Sequence, residues 1–376
     1  MTEEDKLYAI ALTKLGYISP ESLLRLVCEA GGAKEVHANR NSIADVLPGC
    51  TPRLVELLSG DWSDALRLAE AEIAYCADNG IGILGYADGF YPARLTNCPD
   101  APVILYYKGV ADLNQRHVIN IVGTRHCTAY GADIIRRFVA ELHSLCPNVL
   151  IVSGLAYGVD VNAHVQALDN GFETVGVLAH GLDTLYPAVH KAVASRMISQ
   201  GGLLTEFTSG TKIDKVNFIQ RNRIVAGMSD ACIIVESASR GGGLITVRIA
   251  QDYGRDTFAF PGRVGDKYSE GCNALIRSNG AMLLSSASDF VETMGWQTDQ
   301  LLAKAKSRGI ERELFPELTP QQHTVADALR SHGDLQLNTL LAITGLPIGI
   351  LNQTLFELEM MGLVTPYAGA TYHLIT

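Results

Sequence analysis

Four glycine-rich turns and a small set of arginines are the residues of this chain best suited to chemistry. The turns read Ile121-Val-Gly-Thr-Arg125, Ser153-Gly-Leu-Ala-Tyr-Gly-Val-Asp160, Leu178-Ala-His-Gly-Leu-Asp183 and Ser239-Arg-Gly-Gly-Gly-Leu-Ile-Thr246. Glycine lets backbone amides approach an anion, and a helix N-terminus just beyond favours negative charge. The first turn is not G-x-G-x-x-G, because Arg125 stands where a pyrophosphate needs open backbone, and no Walker A sequence is present. An arginine there suits a phosphate arriving from outside, such as a nucleic-acid backbone. A second segment, Phe218-Ile-Gln-Arg-Asn-Arg223, flanks Asn222 with Arg221 and Arg223, and Arg240, Arg263, Lys267 and Arg277 come from other turns. Tyr130, Tyr157, Tyr186, Phe207 and Phe218 are interleaved with these cations. Cations that track a backbone, with rings on which bases stack, are what single-strand binding requires.

Positioning these groups is the work of residues 81–297. Short β-branched runs (Val103–Tyr107, Val118–Val122, Val149–Val152, Thr174–Leu178, Gly202–Thr205, Ala231–Glu236, Thr257–Phe260) alternate with helical patterns such as Gly131–Leu145, Val161–Asn170, His190–Ser199 and Leu244–Tyr253. Near-continuous apolar strands alternating with helices predict a doubly wound, Rossmann-like parallel sheet, an α/β fold with both faces covered. Each glycine turn follows a strand, so all four fall on the carboxyl edge, where such sheets bind ligands.

The flanks read differently. Residues 1–80 show short helical patterns broken at Leu15-Gly-Tyr17 and Leu47-Pro-Gly49, a helical domain with a faint helix-hairpin-helix or SAM-like character. Residues 298–316 are charged and read as a linker. Residues 317–376 predict three helices (to about Arg330, Leu337–Thr344, Ile348–Met361) and two short strands (Leu363–Pro366, Thr371–Leu374), the pattern of a winged helix. Its third helix has no Lys or Arg and two Glu, so a protein contact or an intramolecular role is expected of it rather than groove reading.

Net charge is −10, but it is uneven: residues 1–80 carry 7 basic and 13 acidic side chains, 81–299 carry 18 and 20, and 300–376 carry 5 and 7. The acidity lies mainly in the first segment, so local clustering decides whether a polyanion binds. The eight cysteines include no C-x-x-C pair, which argues against a zinc module or disulfide framework and for a reducing cytoplasm. No apolar run approaches the ~18 residues of a membrane span, and the polar start Met1-Thr-Glu-Glu-Asp-Lys6 lacks the features of a secretory signal.

From about Tyr91 to Glu292 the chain resembles the DNA-processing protein A (DprA/Smf) family. The resemblance is carried by Tyr91-Pro-Ala-Arg-Leu, Gly123-Thr-Arg125, Ser153–Asp160 with Ala163-His164, Gly181-Leu-Asp183 with Tyr186-Pro187, Phe218 with Arg221-Asn-Arg-Ile224, Leu244 with Thr246, Phe260-Pro-Gly262 and Gly271-Cys-Asn-Ala-Leu-Ile276. It implies a non-enzymatic protein without a cofactor that binds and protects incoming single-stranded DNA. It also implies help in loading the recombinase RecA during natural transformation, and a homodimer formed through the α/β domain. Carried over residue by residue, Arg125, Arg221 and Arg223 would contact phosphate, Gly123, Gly154 and Gly158 would shape the pocket, and Phe218 would stack on a base. Thr124, Asn222, Arg240, Arg263 and Lys267 complete the expected DNA-binding set. The segment lacks a Pro after Phe218, and Gly241-Gly-Gly243 replaces a Ser-Gly-Ser-like turn; neither departure removes a charge.

An enzymatic alternative is a lysine-decarboxylase-like (LOG-type) phosphoribohydrolase of nucleoside monophosphates, whose Pro-Gly-Gly-x-Gly-Thr-x-x-Glu loop is similar to Gly241–Thr246. The general acid is missing, since Ile249, preceded by Arg248, stands where the Glu belongs. Asp160 and His164, four apart, would share a helix face as metal ligands do, but no third ligand is set by spacing. Asp160 is expected to cap its helix and His164 to pack in the core. Ser153 lacks a nucleophile elbow.

Overall fold

The computed structural model describes residues 1–376 except 48, 87, 297–317, 368–369 and 376. The chain divides into two compact units, Met1–Gln297 and Thr298–Thr376. The linker expected at 298–316 lies outside the described residues.

The first unit begins with six helices: α1 (Glu3–Leu15), α2 (Pro20–Ala30), α3 (Ala33–Ala38), α4 (Ile43–Val46), α5 (Pro52–Ser59) and α6 (Ser63–Asp78). Their ends follow the local sequence. Thr2, Ser19 and Thr51 cap α1, α2 and α5 through side-chain oxygens, with Pro20 and Pro52 in the first turn. The helices and the sheet share one apolar core, in which Ile10, Leu12, Leu26 and Leu58 are continuous with Leu105 and Val118. Polar ties reinforce it: the Glu72 carboxylate accepts the Ser209 N–H (2.9 Å) and hydroxyl, and Lys14 donates to Thr208. The helical segment is thus fused to the α/β segment rather than strung beside it.

Nine strands follow: β1 (Gly82–Gly85), β2 (Ile104–Gly109), β3 (His117–Val122), β4 (Val149–Ser153), β5 (Thr174–Val177), β6 (Gly202–Thr205), β7 (Ala231–Ile234), β8 (Asp256–Ala259) and β9 (Met282–Leu283). They form one sheet in the order β1-β2-β6-β5-β4-β3-β7-β8-β9. From β6 to β9 every neighbour is parallel, whereas β1–β2 and β2–β6 are antiparallel, so the expected parallel sheet gains an antiparallel edge. Six helices connect the strands from β3 on, α7 (Ala129–Leu145), α8 (Val159–Asp169), α9 (Lys191–Gln200), α10 (Lys215–Gly227), α11 (Gly242–Asp252) and α12 (Glu270–Arg277), and α13 (Ala287–Thr293) follows β9. Within β3 the pleat sends Val118 and Val122 to the core shared with α10 and α11, and Ile119 and Ile121 to a second core with Phe138 and Leu142 of α7. That two-sided demand is why these strands read as continuous apolar runs.

The chain leaves β3 toward β4 on one side and returns from β6 to β7 on the other. The order therefore reverses between β3 and β7, and the loops after these strands part to leave a crevice.

In the second unit, α14 (Pro320–His332) starts with a capping box between Thr319 and Gln322, followed by β10 (Leu335–Gln336), α15 (Leu337–Thr344), α16 (Ile348–Met360), β11 (Val364–Tyr367) and β12 (Thr371–Leu374). The strands pair in the order β10-β12-β11, and Leu329, Leu340, Leu351, Leu355 and Leu358 fill the core of this winged helix.

Candidate nucleic-acid interface

A crevice of about 570 Å³ opens where the β3 and β7 loops diverge. Gly123, Thr124 and Arg125 line it after β3, Gly154 and Ala156 after β4, and Ala238 and Gly241–Gly243 after β7. Across the mouth lie Ile213, Lys215, Phe218, Ile219, Arg221 and Asn222 of α10 and the loop before it. Helix α11 starts at Gly242 on the N-cap Gly241, no side chain caps its first backbone N–H groups, and Gly241–Gly243 line the crevice.

The glycines are there because neighbours leave no room for a side chain. A Cβ at Gly123 would lie 2.6 Å from a Val159 methyl, and one at Gly154 would lie 2.5 Å from the Arg221 guanidinium carbon. Gly158 has φ +77°, and its Cβ would overlap the Thr124 carbonyl and lie 2.6 Å from the Arg125 carbonyl carbon. Gly158→Ala therefore forces both a left-handed conformation and a backbone shift in the Arg125 loop; an expected cost of about 2–4 kcal/mol shows as a lower thermal midpoint. An unchanged midpoint would mean the loop does not pack as described.

The three arginines expected to act together do different things. Arg125 is exposed, its guanidinium sits 5.3 Å from the Phe218 ring centroid, and among the described residues no carboxylate pairs with it. Phe218 is half-buried and meets Tyr186 edge-on with centroids 5.9 Å apart. Arg221 is only 3% exposed. Its Nη1 donates to the Val177 carbonyl at 2.6 Å, while its Nε has no partner among the described residues. Burial lowers its pKa to about 10, opposed by the Asp160 charge, so it remains a cation on the crevice floor.

Arg223 belongs elsewhere. It is buried, bonded to the Glu206 carboxylate, and it donates to the Asp100 carbonyl at 2.6 Å; it lines none of the crevice. Burial raises the Glu206 pKa, and the Arg223 charge opposes that rise. The pair ties α10 to the end of β6 and is a structural lock rather than a free phosphate contact.

Of the remaining expected residues, Gly123, Thr124, Gly154 and Asn222 line the crevice, while Gly158 shapes its wall from behind. Arg240 is exposed just before the Gly241 turn but does not line the crevice. Arg263 and Lys267 are exposed in the loop after β8, beside a different cleft.

Two contributors were not singled out in the sequence, Lys215 and Glu236, and buried Asp160, expected there as a helix cap, lies on the crevice floor. Glu236 accepts the N–H and hydroxyl of Thr128 (2.8 and 2.6 Å) through its carboxylate, and the Thr124 N–H (2.7 Å) through its carbonyl. It anchors the Arg125 loop, and its only sequence signal is its place at the end of an apolar strand. Asp160 does not cap α8 as expected; it accepts the Ala156 N–H at 3.4 Å, and burial raises its pKa against the pull of Arg221. His164 packs in the core against the Thr174 hydroxyl (2.7 Å), and burial lowers its pKa to about 3, which keeps it neutral. Among the described residues no three His, Cys, Asp or Glu side chains converge as metal ligands.

Comparison with known proteins places this geometry among relatives. The model of the DNA recombination-mediator protein A family matches residues 82–295, and that of the DprA winged helix domain matches 313–370. DNA processing protein DprA of Streptococcus pneumoniae is 40% identical over 202 residues, covering 54% of this chain and 70% of that protein. Protein Smf of Escherichia coli is 32% identical over 287 residues, 74% of each. The crystal structure of DprA from S. pneumoniae superposes with a TM-score of 0.57 at 29% identity, covering 74% of this chain and 98% of that one. DNA processing protein A of Helicobacter pylori, whose structure describes a single-stranded DNA binding mode, superposes with a TM-score of 0.52 at 28% identity, covering 57% and 95%.

Proposed function

This chain belongs to the DNA recombination-mediator protein A (DprA/Smf) family, and from that premise we propose that its crevice grips single-stranded DNA. Its role is that of a DNA-processing protein and recombination mediator, protecting the strand and helping to load RecA on it during natural transformation. One contact supports the crevice most: Arg125, exposed and paired with no carboxylate among the described residues, lies over Phe218 at the mouth. A backbone phosphate takes the guanidinium while a base takes the rings of Phe218 and Tyr186. Gly123, Thr124, Gly154, Gly158 and Asn222 shape the seat, and Arg221 adds charge from the floor. Arg240, Arg263 and Lys267 extend the cationic surface beyond the rim. Arg223 leaves this set, because its charge is already held by Glu206.

In this reading the protein binds and presents DNA and carries out no covalent step. The nucleoside-monophosphate hydrolase alternative is not favoured: Ile249 stands where its carboxylate belongs, and relatives of this chain are named DNA processing protein DprA. A homodimer through the α/β domain is part of the proposal, and edge strand β9, with Met282 and Leu283 exposed, offers a second copy an apolar edge. A cytoplasmic site fits a cysteine set that contains no C-x-x-C pair. Among the described residues no single helix is long and apolar enough to cross a membrane.

Binding is expected to favour single strands over duplex, to tolerate sequence, and to fall with salt at a log–log slope of roughly −0.7 for each phosphate contacted. Anisotropy titrations at several salt concentrations measure this. Equal affinity for duplex, or a flat salt dependence, would overturn the proposal.

A further inference from the structure

The Arg125 loop has a second neighbour. While Arg125 lies over Phe218, the next residue, exposed His126, stacks on Tyr268 with ring centroids 6.0 Å apart and planes 26° apart. Tyr268 also carries the Lys267 ammonium 5.5 Å from its ring centroid. Beside this stack lies a separate cleft of about 410 Å³, lined by Thr128, Tyr130, Glu236 and the loop Gly265–Ser269. Tyr130 is 47% exposed, and its hydroxyl is fixed by donating to the Pro261 carbonyl at 2.7 Å.

The charges here differ from those of the crevice. Both Glu236 carboxylate oxygens are engaged by Thr128 at the start of α7, whose N-terminal dipole offsets the charge. Exposed Asp266 and Lys267 add one charge of each sign to the lining. Aromatic walls with nearly balanced charge suit a base better than a phosphate, since every base has a π-face and stacking needs no net charge. One loop serves both, with Gly123–Arg125 lining the crevice and Thr128 lining the cleft, so a strand seated over Arg125 meets the cleft next.

We propose that the single strand crosses the Arg125–His126 loop and seats a further base in this cleft, against Tyr268. The inference rests on the crevice being the single-strand site. It makes the interface two clefts with a shared wall, one holding phosphate and base, the other holding a base alone.

The test compares the full chain with Tyr268→Ala on a short oligothymidylate of about 3 nucleotides and a long one of about 20. The variant is expected to bind the long oligonucleotide about tenfold more weakly, to bind the short one as before, and to keep the wild-type salt slope, because stacking releases no counterions. Tyr268→Phe, which keeps the ring, should restore the affinity. Tyr268→Trp supplies a second readout: its fluorescence should be quenched by the long oligonucleotide and not by the short one. Equal loss at both lengths, no loss at either, or quenching by neither overturns the second cleft. If the crevice reading itself fails, the wild type will not bind the short oligonucleotide in a salt-dependent way, and the two failures stay distinct.

Discussion

Arg125→Ala is expected to weaken single-strand binding about tenfold and to reduce the log–log salt slope by about 0.7, the share of one phosphate. The geometry makes both numbers follow from one side chain. Arg125 is exposed and has no carboxylate partner among the described residues, so a phosphate does not have to displace one. Its place over Phe218 limits the rotamer freedom that binding would otherwise have to remove. Because the side chain holds nothing else together, thermal stability should move by no more than about 0.5 kcal/mol. Phe218→Ala should act differently, losing about 1–3 kcal/mol of stacking with the salt slope nearly intact. If Arg125→Ala binds with wild-type affinity and slope, the crevice is not the DNA seat.

Arg223→Ala should do the reverse. Removing one partner of a buried ion pair leaves the Glu206 carboxylate uncompensated, at a cost of about 3–5 kcal/mol. The Asp100 carbonyl also loses its donor. For a unit of this size the thermal midpoint should fall by roughly 10 °C. Protein that remains folded should bind with the wild-type salt slope, since Arg223 lines none of the crevice. A variant that melts normally but loses one phosphate's share of the slope would return Arg223 to the DNA surface. Burial has already raised the Glu206 pKa, so an uncompensated Glu206 gains a further reason to take up a proton. Glu206→Gln in the same background should recover part of the lost stability.

Much of the frame was legible in the chain. Strand runs such as Val149–Val152 and Gly202–Thr205 fall within a residue of β4 and β6, because a strand buried on both faces has to be apolar at nearly every position. The winged-helix elements were equally readable, with Leu337–Thr344 and Thr371–Leu374 recurring as α15 and β12. Helix α10 was harder. Its outer positions Val216 and Ile219 are apolar and exposed, while Arg221 and Arg223 are polar and buried, so it lacks the ordinary amphipathic stripe. The short strand β1 and edge strand β9 were missed for a related reason: Gly82–Gly85 and Met282–Leu283 are too brief for a period to show.

Sequence alone determined the layered α/β frame and the placing of glycine turns at strand ends, since both follow from local rules of apolar alternation and backbone freedom. It also set which cations were available. Only the tertiary structure decided which of them face solvent. Arg221 and Arg223 are two apart on one helix and so point about 200° apart around its axis. One reaches the Val177 carbonyl at the crevice floor, and the other meets Glu206 at the end of β6. Those partners come from other strands, and the energy of a charge depends on everything packed around it, which no window along the chain contains.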